Sequence, residues 1–195
     1  MPLQSDVLGR IHWQDPLAAA HLAVALSSVS LSSEIDVVCV GTDRSTGDAL
    51  GPLVGSNLLS RQEEGLIPAH VRIHGNIHEP VHALNLQETC QKIHEFGRPS
   101  TVLAIDACLG RARNIGYITL KQGPLEPGSG VNKKLPAVGD YHLIGVVNVA
   151  GYMEHVVLQN TRLSLVIRMA DVITEALTLC LGVKQVRTEV ALASN

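Results

Sequence analysis

The sequence is poor in aromatic residues and in charge. Only 3% of its 195 residues are Phe, Trp or Tyr, and 17% are charged, with 15 Lys and Arg against 18 Asp and Glu. Modules that bind nucleic acid by base stacking need aromatic platforms and a basic stripe, and this composition provides neither. We therefore expect no nucleic acid partner. The hydrophobic fraction of 46% is ordinary, which excludes a disordered protein as well.

Paired cysteines, a signal sequence and a long apolar run are also missing. The four cysteines form no C-x-x-C pair, which indicates reduced thiols rather than disulfides or a zinc site. Asp6 and Asp15 precede the first apolar run, which argues against a signal peptide. The uncharged stretch 16–33 contains His21 and five serines, so it predicts a helix and not a membrane span. We expect a cytoplasmic protein with no membrane partner.

Short apolar runs alternate with amphipathic stretches along the chain. The runs Asp36–Gly41 and Thr101–Asp106 are apolar on both faces, which is typical of central strands in a parallel sheet. Further strands are predicted at 70–74, 115–121 and 142–149, and helices at about 16–30, 50–58, 83–93 and 163–177. This order predicts an α/β fold, a three-layer α/β/α sandwich with a mostly parallel sheet.

The length favours a single domain over residues 1–195, and no linker divides it. We expect the strands at 115–121 and 142–149 to pair as a hairpin through the long loop between them. The tail 183–195 is expected to be frayed or to pair with a partner chain, which leaves a homodimer open.

Two aspartates follow predicted strands, where ligands bind in open α/β sheets. Asp48 lies in the loop after Gly41, and Asp106 ends the run that begins at Thr101. If the two strands are neighbours or one apart, the two carboxyl groups come within several ångströms of each other. The loop lacks the lysine and the glycine spacing of a phosphate-binding loop. Asp48 could also simply cap the helix that follows, and from the residues alone both interpretations stay open.

The segment Gly41-Thr-Asp-Arg-Ser-Thr-Gly-Asp-Ala-Leu-Gly-Pro52, together with Ala104-Ile-Asp106, resembles the spore germination protease and the hydrogenase maturation proteases. A family of small sporulation proteins, named as spore proteases, is similar over about residues 35–180, including segments 78–85, 130–136 and 157–163. The resemblance implies a hydrogenase-maturation-protease-like fold, of the phosphorylase/hydrolase-like type. It also implies a location in the cytoplasm of the forespore or in the spore core.

The resemblance implies that Asp48 and Asp106 form an acidic pair in a peptidase acting on a protein or peptide substrate. Two neighbouring carboxyl groups can share one proton and activate water, or a divalent metal ion can bridge them. In the metal case His155 would be the third ligand, with His142 as the other option. No cofactor is certain, and a divalent metal ion is the one option that the resemblance leaves open. The alternative is a catalytically silent sporulation protein that binds a protein partner or a metal with the same fold.

Four further residues are candidates for substrate binding. Asp43 and Arg44 lie in the same loop as Asp48, and they would orient the substrate backbone, or else form a solvated ion pair. His78 and Glu79 follow the predicted strand 70–74 and are expected to line the cleft.

Other residues that invite a functional interpretation are better explained structurally. Histidines recur every fourth residue from His70 to His82, but Gly75 and Pro80 interrupt the stretch, so a helical metal site is disfavoured. Cys108 is expected to be a buried thiol rather than a nucleophile. Residues 133–134 are expected to be solvated lysines, with a flap over the cleft as the alternative. Asn160 or Thr161 is expected to cap the last helix.

Overall fold

The structure is a computed structural model that describes residues 6–95, 99–127 and 135–193, with side chains up to residue 182. Six strands and five helices follow one another in this part of the chain. In chain order they are β1 (Val7–His12), α1 (Ala18–Ser27), β2 (Ile35–Cys39), α2 (Leu50–Glu63), β3 (Val71–His74), α3 (Leu86–Glu95), β4 (Thr101–Gly110), β5 (Tyr117–Gln122), β6 (Tyr141–Val149), α4 (Glu154–Gln159) and α5 (Leu163–Ala193).

All six strands form one sheet in the order β1-β5-β6-β4-β2-β3. The strands β3, β2, β4 and β6 are parallel, whereas β5 runs antiparallel to both of its neighbours, β6 and β1. The predicted hairpin of β5 and β6 is confirmed. Because β2 and β4 are direct neighbours, with Cys39 opposite Ile105, the loops after these two strands leave the sheet side by side.

Helices cover both faces of the sheet, which confirms the predicted three-layer α/β/α fold. The larger hydrophobic cluster joins α1, α2 and α5 to one face, through residues such as Leu22, Val54 and Ile173. The smaller cluster lies on the other face, where α3 packs through Leu86 and Ile93 on the strands β2 and β4. Successive side chains of β2 belong alternately to the two clusters, because a central strand is buried on both of its faces.

Two elements are absent from the sequence prediction. β1 is an edge strand with Gly and Arg in its middle, so its apolar alternation is weak. α4 spans only six residues, too few for a helical period to show.

The first and the last helix differ in length from the predicted helices. α1 begins only at Ala18, after Asp15 has accepted the N–H of Leu17, and it ends at Ser27. The α5 backbone continues as a helix to Ala193, where a frayed or partner-paired tail was expected. Side chains beyond residue 182 lie outside the described part, so pairing with a partner chain stays a prediction.

Among the residues that the structure describes, no helix combines the length and hydropathy that a membrane span requires. The four cysteines are free thiols; Cys39 and Cys180 are buried, and Cys90 and Cys108 are half-buried.

Candidate active site

The loop between β2 and α2 is folded tightly against the ends of the strands. Gly41 has φ +146°, and a Cβ there would collide with the carbonyl oxygen of Asp48. The N–H of Thr42 donates to that same oxygen at 3.1 Å, and the N–H of Gly41 donates to the carbonyl of Val81 at 2.8 Å. The glycine that ends the apolar run therefore allows the loop to turn back on itself, which fixes Asp48 above the sheet edge.

Asp48 does not cap a helix. It lies inside a short 3-10 turn, Gly47–Ala49, and α2 starts with Ala49 at its N-cap position and no side-chain hydrogen bond there. The capping interpretation of Asp48 is therefore wrong. Burial raises the pKa of this half-buried carboxyl group, and the positive charge of His155 opposes the shift.

Asp106 lies inside β4, on the neighbouring strand. The expectation that this strand ends at Asp106 is wrong, because β4 continues beside β6 to Gly110. Among the described residues, the only hydrogen bond of its carboxyl group comes from the N–H of Ala107, which donates to Oδ1 at 2.8 Å. Burial raises the pKa of Asp106 to about 8; the Ala107 bond opposes this rise, and the negative charge of Asp48 adds to it. The two carboxyl groups therefore lie within electrostatic range of each other, at the sheet edge where the sequence predicts a site.

His155 reaches the same edge from α4. Gly47 brings α4 close, because a Cβ on Gly47 would lie 2.7 Å from the side chain of Leu158 and 3.0 Å from the hydroxyl of Thr161. That hydroxyl donates to the carbonyl of Val157 at 2.9 Å. It therefore closes α4, as does the side chain of Asn160, which donates to the carbonyl of Val156 at 2.8 Å. Because α5 begins at Leu163, neither Asn160 nor Thr161 directly precedes it, and the expectation that one of them caps the last helix is wrong. The imidazole of His155 is exposed, and its Nε2 lies 3.2 Å from the amide nitrogen of Gln159.

The other histidine option, His142, is placed differently. It is buried near the start of β6, opposite Ala104, and its Nδ1 lies 2.8 Å from the carbonyl oxygen of Gly123. Burial lowers the pKa of His142, so it is held as a neutral group bound to the backbone. Of the two histidines, His155 is the one whose charge acts on Asp48.

The donor set of Asp48, Asp106 and His155, two carboxylates and one imidazole, is chemically suited to a divalent transition metal. As arranged, however, no three His, Cys, Asp or Glu side chains of the described residues come close enough to hold a metal ion. We therefore derive no step through a metal ion, and the metal site stays a prediction.

The four predicted substrate-binding residues lie on exposed loops beside this edge. Asp43 and Arg44 are exposed, and the N–H of Arg44 donates to the hydroxyl of Thr42 at 3.3 Å. His78 and Glu79 are exposed as well, with both N–H groups bound to the side-chain oxygen of Asn76. Their part in binding stays a prediction.

The regularly spaced histidines do not converge. Only His74 and His82 line one common cavity, of about 380 Å³, between β3 and α3. The Nε2 atom of His74 lies 2.7 Å from Oδ1 of Asp36. Arg72 donates to both oxygens of the same carboxylate, to Oδ1 at 2.8 Å and to Oδ2 at 2.6 Å. Sequence reasoning missed this network, although a charged residue, Asp36, at the start of an otherwise apolar run was a usable signal.

Cys108 follows the expectation of a poorly reactive thiol. It is half-buried, and burial raises its pKa to about 11, with a further rise from the charge of Asp106 and an opposing effect of Lys121. Residues 133–134 lie outside the described part of the chain, as does most of the segment 130–136.

Comparison with known proteins places the chain in a family. A family model described as "Protein of unknown function (DUF1256)" matches residues 10–176. The chain belongs to this family. A relative from Bacillus subtilis (strain 168), titled "Uncharacterized protein YyaC", is 49% identical over 179 residues, which are 90% of this chain and 85% of the relative.

A solved structure shares the fold of this DUF1256 member. It is the [NiFe] hydrogenase maturation protease HycI from Thermococcus kodakarensis KOD1, with a TM-score of 0.55 and 19% sequence identity. The similarity covers 80% of this chain and 97% of that one. At this identity it shows the fold, and it confirms the predicted fold class.

Proposed function

We propose that this DUF1256 protein is a peptidase-like hydrolase that cleaves a protein substrate through the carboxyl pair Asp48 and Asp106. The observation that carries the proposal is the raised pKa of both acids at one sheet edge, with the charge of one acting on the other. Buried acids without compensating partners are costly to a fold, and they concentrate at functional sites. The fold shared with a maturation protease is consistent with this reaction class.

The two environments divide the roles of the acids. With a pKa of about 8, Asp106 holds its proton over most of the neutral range. Burial raises the pKa of Asp48 as well, but the charge of His155 opposes that rise. The charge that acts on Asp106 is instead the negative charge of Asp48, so Asp48 is the more easily ionised of the two. Asp48 is therefore the general base and Asp106 the general acid, the division of labour that a carboxyl pair adopts when its environments differ.

The reaction balances without further reactants. Water attacks the peptide carbonyl carbon while its proton passes to Asp48, and Asp106 donates its proton to the carbonyl oxygen. The tetrahedral intermediate then collapses: Asp48 gives its proton to the leaving nitrogen, the C–N bond breaks, and Asp106 takes its proton back. His155 is a positioning residue beside the pair, because its charge opposes the rise that burial causes in the pKa of Asp48.

The proposed setting is a sporulating cell, with a spore protein as substrate and the cytoplasm of the forespore as the location. Support for this setting is the resemblance of the loop Gly41–Pro52 and of the Asp106 segment to sporulation proteins. The extent of the YyaC similarity, over nine tenths of this chain, makes that relative a suitable second protein for the same experiments.

The test is a search for new N-termini in an extract of sporulating cells. The purified protein, Asp48→Asn, Asp106→Asn and the control Asp171→Asn, an exposed residue of α5, are each incubated with the extract. We expect new N-termini from the wild type and the control and at least about 100-fold fewer from either site variant, because each loses an acid or a base. Full activity of Asp48→Asn or Asp106→Asn would remove the mechanism.

Two further arms separate the rival functions. Activity that EDTA abolishes and a divalent metal restores would show that a metal ion takes part. Stable capture of a protein without any cleavage would favour the catalytically silent alternative.

A further inference from the structure

The cavity between β3 and α3 lies beside the candidate active site. Val81, which lines this cavity of about 380 Å³, forms a parallel β-bridge with Val40, and its carbonyl oxygen accepts the N–H of Gly41 at 2.8 Å. On the other side, Val40 donates its N–H to the carbonyl oxygen of Ile105 at 2.8 Å, one residue before Asp106. Only the end of β2 therefore lies between the cavity and Asp106.

This arrangement fixes the distance between the cavity and the acid pair. Two steps of about 4.8 Å between neighbouring chain segments separate Val81 from β4 by roughly 10 Å. An extended peptide rises about 3.3 Å per residue, so about three residues cover this distance. A substrate that crosses the strand ends with a carbonyl group at Asp106 would therefore place a side chain at the cavity about three positions from the cleaved bond.

The cavity combines an apolar wall with a carboxylate. Its apolar lining includes Ile73, Pro80 and Val81. Glu79 lines the same cavity and is exposed. Lysine and arginine side chains pack their methylene groups on apolar surface and keep the charged group in a polar environment. An apolar wall beside a carboxylate is therefore suited to either of these side chains.

Glu79 provides the unpaired charge of the cavity. In the described part of the chain its carboxylate forms no ion pair. Lys92 lines the cavity as well, but it already pairs with Glu88, with Nζ 2.8 Å from Oε1. The negative charge of Glu79 is therefore left for a ligand.

The two histidines of the cavity do not offset this charge. His74 belongs to a network of two bases and two acids whose charges balance even when the ring is protonated. The members of this network are His74, Arg72, Asp36 and Glu34. Nδ1 of His82 accepts a backbone N–H at 3.3 Å, and a ring nitrogen that accepts carries no proton. Charge complementarity at this cavity therefore favours a cation.

The loop that contains Glu79 is held in place by two asparagines. Oδ1 of Asn76 accepts the N–H of Glu79 at 2.9 Å, and the carbonyl oxygen of Glu79 accepts the N–H of Asn76 at 3.1 Å. The side chain of Asn85 donates to the carbonyl oxygen of Pro80 at 3.0 Å and accepts the N–H of His82 at 2.8 Å. Because the loop is ordered before a ligand arrives, binding costs less conformational entropy.

We propose that this cavity binds a lysine or arginine side chain of the protein substrate, with its methylene groups on the apolar wall and its charged group at Glu79. The inference rests on the proposed function, because it places the basic residue about three positions from a bond that is cleaved at Asp106. It adds the class of substrate: a polypeptide with a basic residue at a fixed distance from the reacting carbonyl group. Glu79 is a specificity-determining residue.

The test measures peptide binding in the absence of turnover. Fluorescein-labelled short peptides with two central lysines, and matched peptides with glutamines, are titrated against Asp106→Asn by fluorescence anisotropy. We expect the lysine peptide to bind about three- to fivefold more tightly, with the preference falling as salt is raised. Adding Glu79→Gln should abolish the preference, and Glu79→Asp should retain part of it, because aspartate keeps the charge on a shorter side chain.

Glu63→Gln is the matched control. Glu63 is an exposed residue at the end of α2, which packs on the other face of the sheet, and it also forms no ion pair among the described residues. Its loss changes the net charge equally and should leave the preference for lysine unchanged. Equal affinity for both peptides, no binding of either at millimolar concentration, or an unchanged preference in Glu79→Gln would overturn the proposal.

Cadaverine is the probe for a free amine at the same cavity. We expect it to displace the lysine peptide only at concentrations well above the dissociation constant of that peptide, because it lacks the backbone that crosses the strand ends. Displacement by cadaverine at or below this concentration would overturn the assignment to a polypeptide.

The binding result and the cleavage result can fail separately. If no cleavage occurs but the preference that depends on Glu79 is present, the hydrolase proposal falls and the binding of basic segments by the cavity stands. If cleavage occurs, the new N-termini should show a lysine or arginine about three positions from the cleaved bond. Cleavage sites without such a residue would contradict the role of Glu79 while leaving the acid pair intact.

Discussion

Two aspartates on neighbouring strands of this protein are shielded from water, Asp36 fully and Asp106 in part, yet their pKa values move in opposite directions. Asp36 lies at the start of β2 and is fully buried. Although burial alone would raise its pKa, hydrogen bonds from His74, Arg72 and Ser100 hold it well below its usual range. Asp106 has one backbone N–H as a partner and the negative charge of Asp48 nearby, and its pKa is raised to about 8.

The comparison shows that partners, rather than burial, decide which buried acid stays ionised. Arg72 and His74 supply donors for both oxygens of Asp36, so the ionised form is fully compensated and contributes to the fold. Asp106 has no such compensation, so its ionised form costs stability. An acid kept at a cost to the fold is the better candidate for chemistry.

The largest expected effect follows from removing the compensated acid. Asp36→Asn should lower the free energy of unfolding by about 3 to 5 kcal/mol, because it leaves Arg72 and His74 without the charge they bind. Urea unfolding followed by circular dichroism measures this loss. Glu34→Gln is the matched control: Glu34 accepts from the same Arg72 at 2.8 Å but is partly exposed, so its loss should cost less than about 1 kcal/mol. Equal losses in the two variants would contradict the distinction.

A smaller effect, with the opposite sign, is expected from Asp106→Asn. Between the ordinary aspartate pKa of 3.8 and about 8, the folded protein binds more protons at this position than the unfolded chain does. The free energy of unfolding should therefore fall as pH rises through this window and level off above it. The asparagine variant loses this dependence, so at pH 9 it should melt roughly 5 °C above the wild type.

Asp36 is again the residue for comparison, because its contribution to the free energy of unfolding depends on pH in the opposite direction. Its lowered pKa means that stability is present above pH 3.8 and is lost as pH falls through the folded-state value. Asp36 therefore adds no slope from pH 4 to pH 9. The contributions of Asp48 and His142 are present in the wild type and in Asp106→Asn alike, so the difference between the thermal melts of the two proteins shows the Asp106 slope. A difference in melting temperature that stays constant across this range would contradict the raised pKa of Asp106.

Much of the fold could be predicted from the sequence because hydrophobic periodicity reports burial directly. The apolar runs of β2 and β4 and the period of α2 and α5 appear where the structure has them. β1 and α4 could not be predicted, because an edge strand and a helix of six residues bury too little surface to leave a pattern. The strand order, which decides whether Asp48 and Asp106 meet, depends on long-range pairing that periodicity does not encode.

For the site, too, the sequence shows the residues but not the long-range contacts between them. The positions of Asp48 after one apolar run and of Asp106 at the end of another are visible in the sequence, but the sequence did not show that β4 continues past Asp106 to Gly110. The electrostatic coupling between the two acids also requires β2 beside β4. The sequence shows a glycine at position 47, but it does not show that α4 packs closely against this glycine.

The smallest expected effect uses Cys108 as a reporter of the charge on Asp106. Burial raises the pKa of this thiol to about 11, and the Asp106 carboxylate adds to the rise. At pH 9, where Asp106 is ionised in the wild type, Asp106→Asn should therefore speed alkylation of Cys108 by iodoacetamide by roughly two- to fivefold. Peptide mapping by mass spectrometry follows each cysteine separately.

Cys90 is the internal control for this measurement. It is also half-buried and its pKa is raised by burial, but the charge of Asp106 does not contribute to that rise. Its alkylation rate should be the same in both proteins, and at pH 6.5, where Asp106 already holds its proton, the Cys108 rates should converge as well. If both cysteines were alkylated faster in the variant at both pH values, the substitution would have opened the fold. That result would contradict the explanation of the Cys108 rate by a charge on Asp106.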